Sequence, residues 1–216
     1  MELDYPNMIA SIPLFARAAW TTLWIAASGI LLAGAVGLAG AFCLYLELPY
    51  LARPIKAYIE ISRNTPLLVQ LFLLHFGLKV DALPCAVMAL AFLGGGYMAE
   101  AFRAGLEAVE RSQVESALSL GLSHYETVRH VVLPQALISA VPAIGANVIF
   151  LLKETSVVSV VAVTDIVAVA KDLISLYYET AEALVMLVIA YLILLTPVCL
   201  AVWRLERKVK YAVFGR

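Results

Sequence analysis

Long apolar runs free of charge alternate along this chain with short charged stretches. Residues 18–46, 64–78, 82–99, 130–152 and 183–203 contain no Asp, Glu, Lys or Arg. A helix crosses a bilayer core with about 20 mostly apolar residues. The first and last runs meet that length outright. The middle three reach it when charges near their ends snorkel or face a protein interior. The pattern predicts an all-α, polytopic membrane protein of about five transmembrane helices, near 15–46, 55–78, 83–109, 136–155 and 179–204, forming one transmembrane domain over 1–216. Residues 156–166 make an apolar segment too short to cross, which the pattern puts near the outer surface. No stretch alternates apolar and polar residues as a membrane β-barrel strand would. Nor are there charged amphipathic helices to cover these runs in a soluble fold.

The polar interruption at 112–134 is specified in detail. Ser112-Gln-Val-Glu115 and Ser123-His-Tyr-Glu126 both fit the capping box, in which serine accepts an N–H three residues on and glutamate reaches back to the serine N–H. Gly121 stands where the first helix stops and can take positive φ. Pro134 bounds the second helix and biases Leu133 away from helical angles. Two short helices joined by a tight turn are therefore predicted. Val114, Ala117 and Leu118 line one face of the first; Tyr125, Val128 and Val132 line one of the second. Helices this short need tertiary contact to persist. The loop is either an amphipathic connector on the membrane surface or an element that docks on another protein. Its mixed charge, Glu115 and Glu126 with Arg129, favours docking.

Charge position adds orientation. The net charge is only −1. Yet Arg53, Lys56, Arg63, Arg103, Arg111, Arg129, Arg204, Arg207, Lys208, Lys210 and Arg216 fall on one side of a five-span arrangement. Arg17, Lys79 and Lys171 fall on the other, and Lys153 lies within a span. The positive-inside rule then places the C-terminus in the cytoplasm and the N-terminus outside. The acidic start MELDYPNM lacks the basic opening of a secretory signal, so the first span is expected to be retained. Cys43, Cys85 and Cys199 are scattered without metal-ligand spacing and read as small buried hydrophobes. No metal site, catalytic set or nucleic-acid partner is expected. The chain carries no G-x-x-x-x-G-K-[ST] phosphate loop, so it is expected to hold no such nucleotide site.

Several residues within the spans need an explanation. Gly34, Gly37 and Gly40 share a stripe, and Gly94-Gly95-Gly96 sit mid-span. Both suit close helix approach, and the triple glycine also permits bending. Glu60 and Arg63, like Glu100 and Arg103, are three apart on one helical face. Each pair reads either as a local ion pair or as part of a translocation path. Thr65-Pro66 interrupts the second span, and the proline frees the carbonyl of Ser62 to line a path or find a neighbouring hydroxyl. Asn147 reads as an interhelical hydrogen-bonding residue. Lys153-Glu154 follows a long charge-free run. The two either pair at the outer interface or reach a central cavity, where Glu154 would meet a substrate cation.

The order of these motifs resembles a known family. Glu115-Ser116-Ala117, Leu120-Gly121 and Val131-Val132-Leu133-Pro134 resemble the EAA loop of ABC importer permeases, with Ser116 for the usual alanine and Val131 for isoleucine. Ile61-Ser-Arg63-Asn-Thr65-Pro66-Leu-Leu-Val-Gln70, Tyr97-Met-Ala-Glu100-Ala-Phe-Arg103-Ala-Gly105 and Lys153-Glu-Thr155-Ser156 resemble span signatures of the polar amino-acid subfamily, the histidine/glutamine/arginine type. Asn64 and Ser112 stand where that subfamily commonly has glycine, His75 where it has tyrosine, and Glu154 where it has Asn or Asp. The resemblance implies a type I importer permease fold whose loop holds cytoplasmic coupling helices. Glu115, Ala117, Leu118, Gly121, Leu133 and Pro134 would then meet an ATP-binding subunit. Arg63, Thr65, Pro66, Glu100, Asn147, Lys153, Glu154, Thr155 and Ser156 are candidates for the substrate path. It further implies a bacterial inner-membrane location and a pair of ATP-binding subunits carrying the ATP and Mg. A second permease (identical or related), an extracytoplasmic solute-binding protein and an amino-acid substrate complete the expected partners. Permeases for another small solute such as an osmolyte, ATP-independent secondary transporters and membrane enzymes remain as alternatives.

Overall fold

The computed structural model describes residues 3–214, which form helices joined by short turns, with no strand among the described residues. Helix α1 (Tyr5–Tyr45) begins ten residues before the expected span. Asp4 caps it by accepting the Asn7 N–H at 3.2 Å, and a proline occupies its first turn. At 41 residues it is about 60 Å long, twice what a bilayer core requires.

The second crossing is broken. Helix α2 (Ala52–Asn64) ends at Thr65, which is extended, and α3 (Leu67–Phe72) restarts beyond Pro66 and finishes in a π-helical turn over Leu73–Gly77. Proline removes an N–H and displaces the carbonyl four residues back. The Gln70 amide answers both exposed carbonyls, donating to Ser62 O at 3.2 Å and Thr65 O at 2.9 Å. The partner of Ser62 is thus a buried amide, not a hydroxyl.

Helix α4 (Ala82–Glu107) is the central post. Its triple glycine stays helical, and successive residues, about 100° apart, each admit a different neighbour. A Cβ at Gly94 would meet Ala33 and Leu151, at Gly95 Tyr58 and Val36, and at Gly96 Ser62 and Ile59. On α1 the residues pressed into this packing are Gly29, Ala33, Gly37 and Ala41, all buried and spaced by four. Gly34 has nothing within 4 Å, so the expected 34/37/40 stripe is corrected to a 29/33/37/41 seam.

After α5 (Arg111–Ser119) and α6 (His124–Thr127), a π-helical turn over Val128–Val132 runs straight into α7 (Leu133–Glu154). Leu133 is helical at φ −60°, ψ −45°. The expected stop at Pro134 therefore does not occur. The proline falls in the first turn of α7, just after the π turn, whose wider ring absorbs the lost bond without a break.

A 3₁₀ segment, Thr155–Val161, follows, and its Val158 and Val161 are fully buried in the main core. Residues 156–161 thus pack partly or fully buried against the main core. Helix α8 (Ile166–Tyr177), for which the pattern assigned no element, and α9 (Thr180–Phe214) complete the chain. Four helices are long and apolar enough to cross a membrane, and the shorter apolar Leu67–Gly77 lies where the second of the expected five was placed. Large apolar side chains such as Trp20, Leu31 and Ile193 point outward, as lipid permits.

Candidate functional site

The elbow between α4 and α7 is held by local chemistry. Helix α5 closes in a Schellman arrangement: Gly121, at φ +89°, donates to Leu118 O, and Leu122 donates to Ala117 O at 3.2 Å. The second capping box forms as expected. The Ser123 N–H donates to Glu126 Oε2 at 2.9 Å, and the Glu126 N–H donates to Ser123 Oγ at 3.3 Å. These Ser123 donors hold the exposed Glu126 carboxyl below its usual range. The first box does not form. Helix α5 starts two residues early with Glu110 as N-cap, so Ser112 lies inside the helix and its hydroxyl donates to Glu110 Oε2.

Ala117 is buried beneath the elbow, with Val114, Leu118 and Leu133 half-buried around it, while Glu115, Gly121 and Pro134 are exposed. In α6 the inward residue is Thr127, and Tyr125 turns outward to accept a hydrogen bond from Arg129. Leu120, part of the quoted loop motif but not among the expected contact residues, is 82% exposed at the tip. Beside it a cleft of about 320 Å³ is bordered by Ser112, Gln113, Ser116, Ala117, Leu120 and Val131.

The second feature lies at the break between α2 and α3. A cavity of about 320 Å³ is lined by Arg63, Thr65, Pro66, Leu67, Leu68, Leu93, Tyr97, Phe150, Glu154 and Val157. Four residues from scattered motifs, Arg63, Thr65, Pro66 and Glu154, thus meet around one space. The Arg63 guanidinium lies 5.2 Å from the Tyr97 ring centre, and Tyr97 packs on Phe150 at 5.1 Å. Neither Tyr97 nor Phe150 stood out as a path candidate, because an aromatic in an apolar run carries no signal of which way it faces.

The remaining candidates are placed differently. Glu100 reaches Arg63 at 3.9 Å and Arg103 at 2.8 Å. Arg63 therefore pairs across helices with Glu100, and of the two readings left open for Glu60 and Arg63 the local ion pair does not form. Asn147 donates to Tyr97 O at 3.1 Å and so holds the α4 backbone behind the aromatic wall. Thr155 is fully buried and donates to Leu152 O at 2.7 Å, turned away from the cavity. Lys153 is exposed and Ser156 half-buried; neither lines the cavity, and Lys153 forms no ion pair with Glu154.

An exposed elbow at one end and a cavity at a broken helix mid-chain are the two features the structure sets apart. Residues 36–211 match the family described as binding-protein-dependent transport system inner membrane component. The chain belongs to that family. A probable amino-acid permease protein of Bacillus subtilis, YxeN, is 36% identical over 82% of this chain and 84% of its own length. The glutamine transport system permease protein GlnP of Escherichia coli is 29% identical over 97% of this chain and 99% of its own. Among solved structures, that of an amino acid ABC transporter with histidines superposes with a TM-score of 0.87 at 32% identity. It covers 96% of this chain and 100% of the other. The methionine ABC transporter MetNI, at 20% identity and a TM-score of 0.80, shares the fold. The protein is therefore a multi-pass inner-membrane permease with the ABC importer permease fold.

Proposed function

We propose that this permease carries polar amino acids. The observation that supports this most is the cavity at the α2–α3 break, where the Arg63 guanidinium and the Glu154 carboxyl line one space. A zwitterionic amino acid presents a carboxylate and an ammonium, and opposed protein charges match both ends in a partly dehydrated site. The relatives named for amino acids point the same way. An osmolyte with a quaternary ammonium would want an open aromatic face, and here the face of Tyr97 is taken by Arg63.

The elbow is the contact for an ATP-binding subunit that supplies ATP and Mg, with Leu120 and the adjoining cleft as its docking surface. A second permease, identical or related, faces the open side of the cavity, and a solute-binding protein delivers substrate outside. The elbow end lies in the cytoplasm, with the N-terminus outside. ATP binding shifts the complex between inward-open and outward-open states only in so far as it favours one of them.

The test is uptake by the assembled complex in proteoliposomes, offered L-glutamine, L-histidine, L-arginine and L-cystine. ATP-dependent uptake of at least one is expected, with Glu154→Gln lowering it by about tenfold or more, the scale of one charged hydrogen bond. Uptake of none of them, or unchanged uptake and substrate-stimulated ATP hydrolysis in Glu154→Gln, contradicts the assignment.

A further inference from the structure

A second cavity, of about 520 Å³, opens at the elbow end of the bundle, between the last turn of α1, helix α2 and the last turns of α4. Its walls carry six charges: Lys56, Glu60, Arg63, Glu100, Arg103 and Glu107. They are unequally satisfied. Arg103 is saturated, donating to Glu100 at 2.8 Å and to Glu107 at 2.6 Å. Arg63 is held only loosely, 3.9 Å from Glu100. Lys56 and Glu60, one turn apart on α2, form no ion pair among the described residues. Both are exposed at this end of α2 and so stand open to a ligand.

Among the described residues, Arg63 alone lines both this cavity and the one at the α2–α3 break. The two spaces therefore share one residue, whose ion pair is long and easily exchanged. From Arg63 to Lys56 is seven residues, about 10 Å along α2, toward the elbow end.

We propose that the charged cavity is a second, inner binding site for the zwitterionic backbone of the transported amino acid, with Arg63 passing the carboxylate from one site to the other. The proposal rests on the amino-acid reading above. In the inner site Lys56 takes the carboxylate and Glu60 the ammonium. Glu100 holds Arg63 between transfers, and the Arg103 bonds to Glu100 and Glu107 keep that carboxylate fixed. A substrate leaving the outer site meets opposed charges in place of bare apolar wall, which lowers the barrier to exit.

The experiment uses the assembled complex in proteoliposomes and whichever of L-glutamine, L-histidine, L-arginine and L-cystine the unaltered complex takes up fastest. Lys56→Gln combined with Glu60→Gln is expected to lower the maximal uptake rate by about tenfold, as loss of charged hydrogen bonds does, with little change in the half-saturating concentration. An unchanged maximal rate, or a loss seen only as a raised half-saturating concentration, overturns the inner site while leaving the amino-acid reading intact. No uptake by the unaltered complex removes both. A second measurement guards against misfolding: Glu60→Cys in the complex without ATP is labelled by a cationic thiosulfonate, with the unaltered complex as control for the native cysteines. Labelling is expected to slow when the amino acid is added, and equal rates overturn the proposal.

Discussion

Gly37 lies where α1 crosses α4, and a Cβ there would overlap Met98 and the Ala99 backbone N. Backbone cannot yield as a flexible side chain can, so Gly37→Ala should cost about 1–3 kcal/mol of overpacking. Gly34→Ala, in open space, should cost nothing measurable. Thermal inactivation of the detergent-solubilised complex checks the pair: equal half-lives would mean that the α1–α4 crossing is not where the structure puts it. The sequence offered both glycines as equals. Both faces of α1 are apolar, one toward protein and one toward lipid, so polarity could not tell them apart. Arg63 makes the same point for charge. Its spacing suggested Glu60, yet the fold offers Glu100 and the Tyr97 ring from another helix, and partners across helices leave no trace in local spacing.

At the scale of elements, the elbow was largely legible and the spans less so. The Ser123–Glu126 box and the positive φ of Gly121 depend on residues within one turn, so sequence suffices for them. Ser112–Glu115 does not form because α5 starts two residues earlier, with Glu110 at the N-cap position and no side-chain capping bond. Replacing Ser123 with Ala should loosen the start of α6 by about 1 kcal/mol, seen as faster amide exchange over 124–127. Because Glu126 is held below its usual range, its contribution is complete above the unfolded carboxyl value of about 4.3. It is lost as pH falls through the lower folded value. Exchange at α6 should therefore accelerate, beyond its intrinsic pH dependence, only in that acid window, and Glu126→Gln should abolish the extra acceleration. Proline gave two opposite outcomes. Pro66 follows an extended Thr65 and breaks the helix, with Gln70 closing the gap, whereas Pro134 is absorbed by a π turn.

For the whole molecule, the two candidate features are linked by chain continuity. From α6 the elbow continues through the π turn into α7, which ends at Glu154 on the cavity wall. Leu120→Asp should place a charge in the docking surface and reduce co-purification of the ATP-binding subunit by about tenfold or more, the effect of losing an apolar interface anchor. The permease itself should stay intact, since Leu120 is 82% exposed. Undiminished co-purification would move the docking surface elsewhere.

The sequence alone determined that the chain lies in a membrane as helices, roughly how many cross, and that an exposed elbow interrupts them. Charge-free length, capping residues and turn glycines are local properties that water and lipid read directly. Tertiary structure decided which faces of α1 and α4 meet, that 155–161 is core, and that Arg63 and Glu154, far apart in the chain, share one cavity. In a bilayer both the buried and the lipid-facing sides of a helix are apolar, so hydrophobic pattern gives position along the membrane normal but not rotation about the helix axis. Rotation is set by the fit of small residues against neighbours, and only the assembled bundle supplies the neighbours.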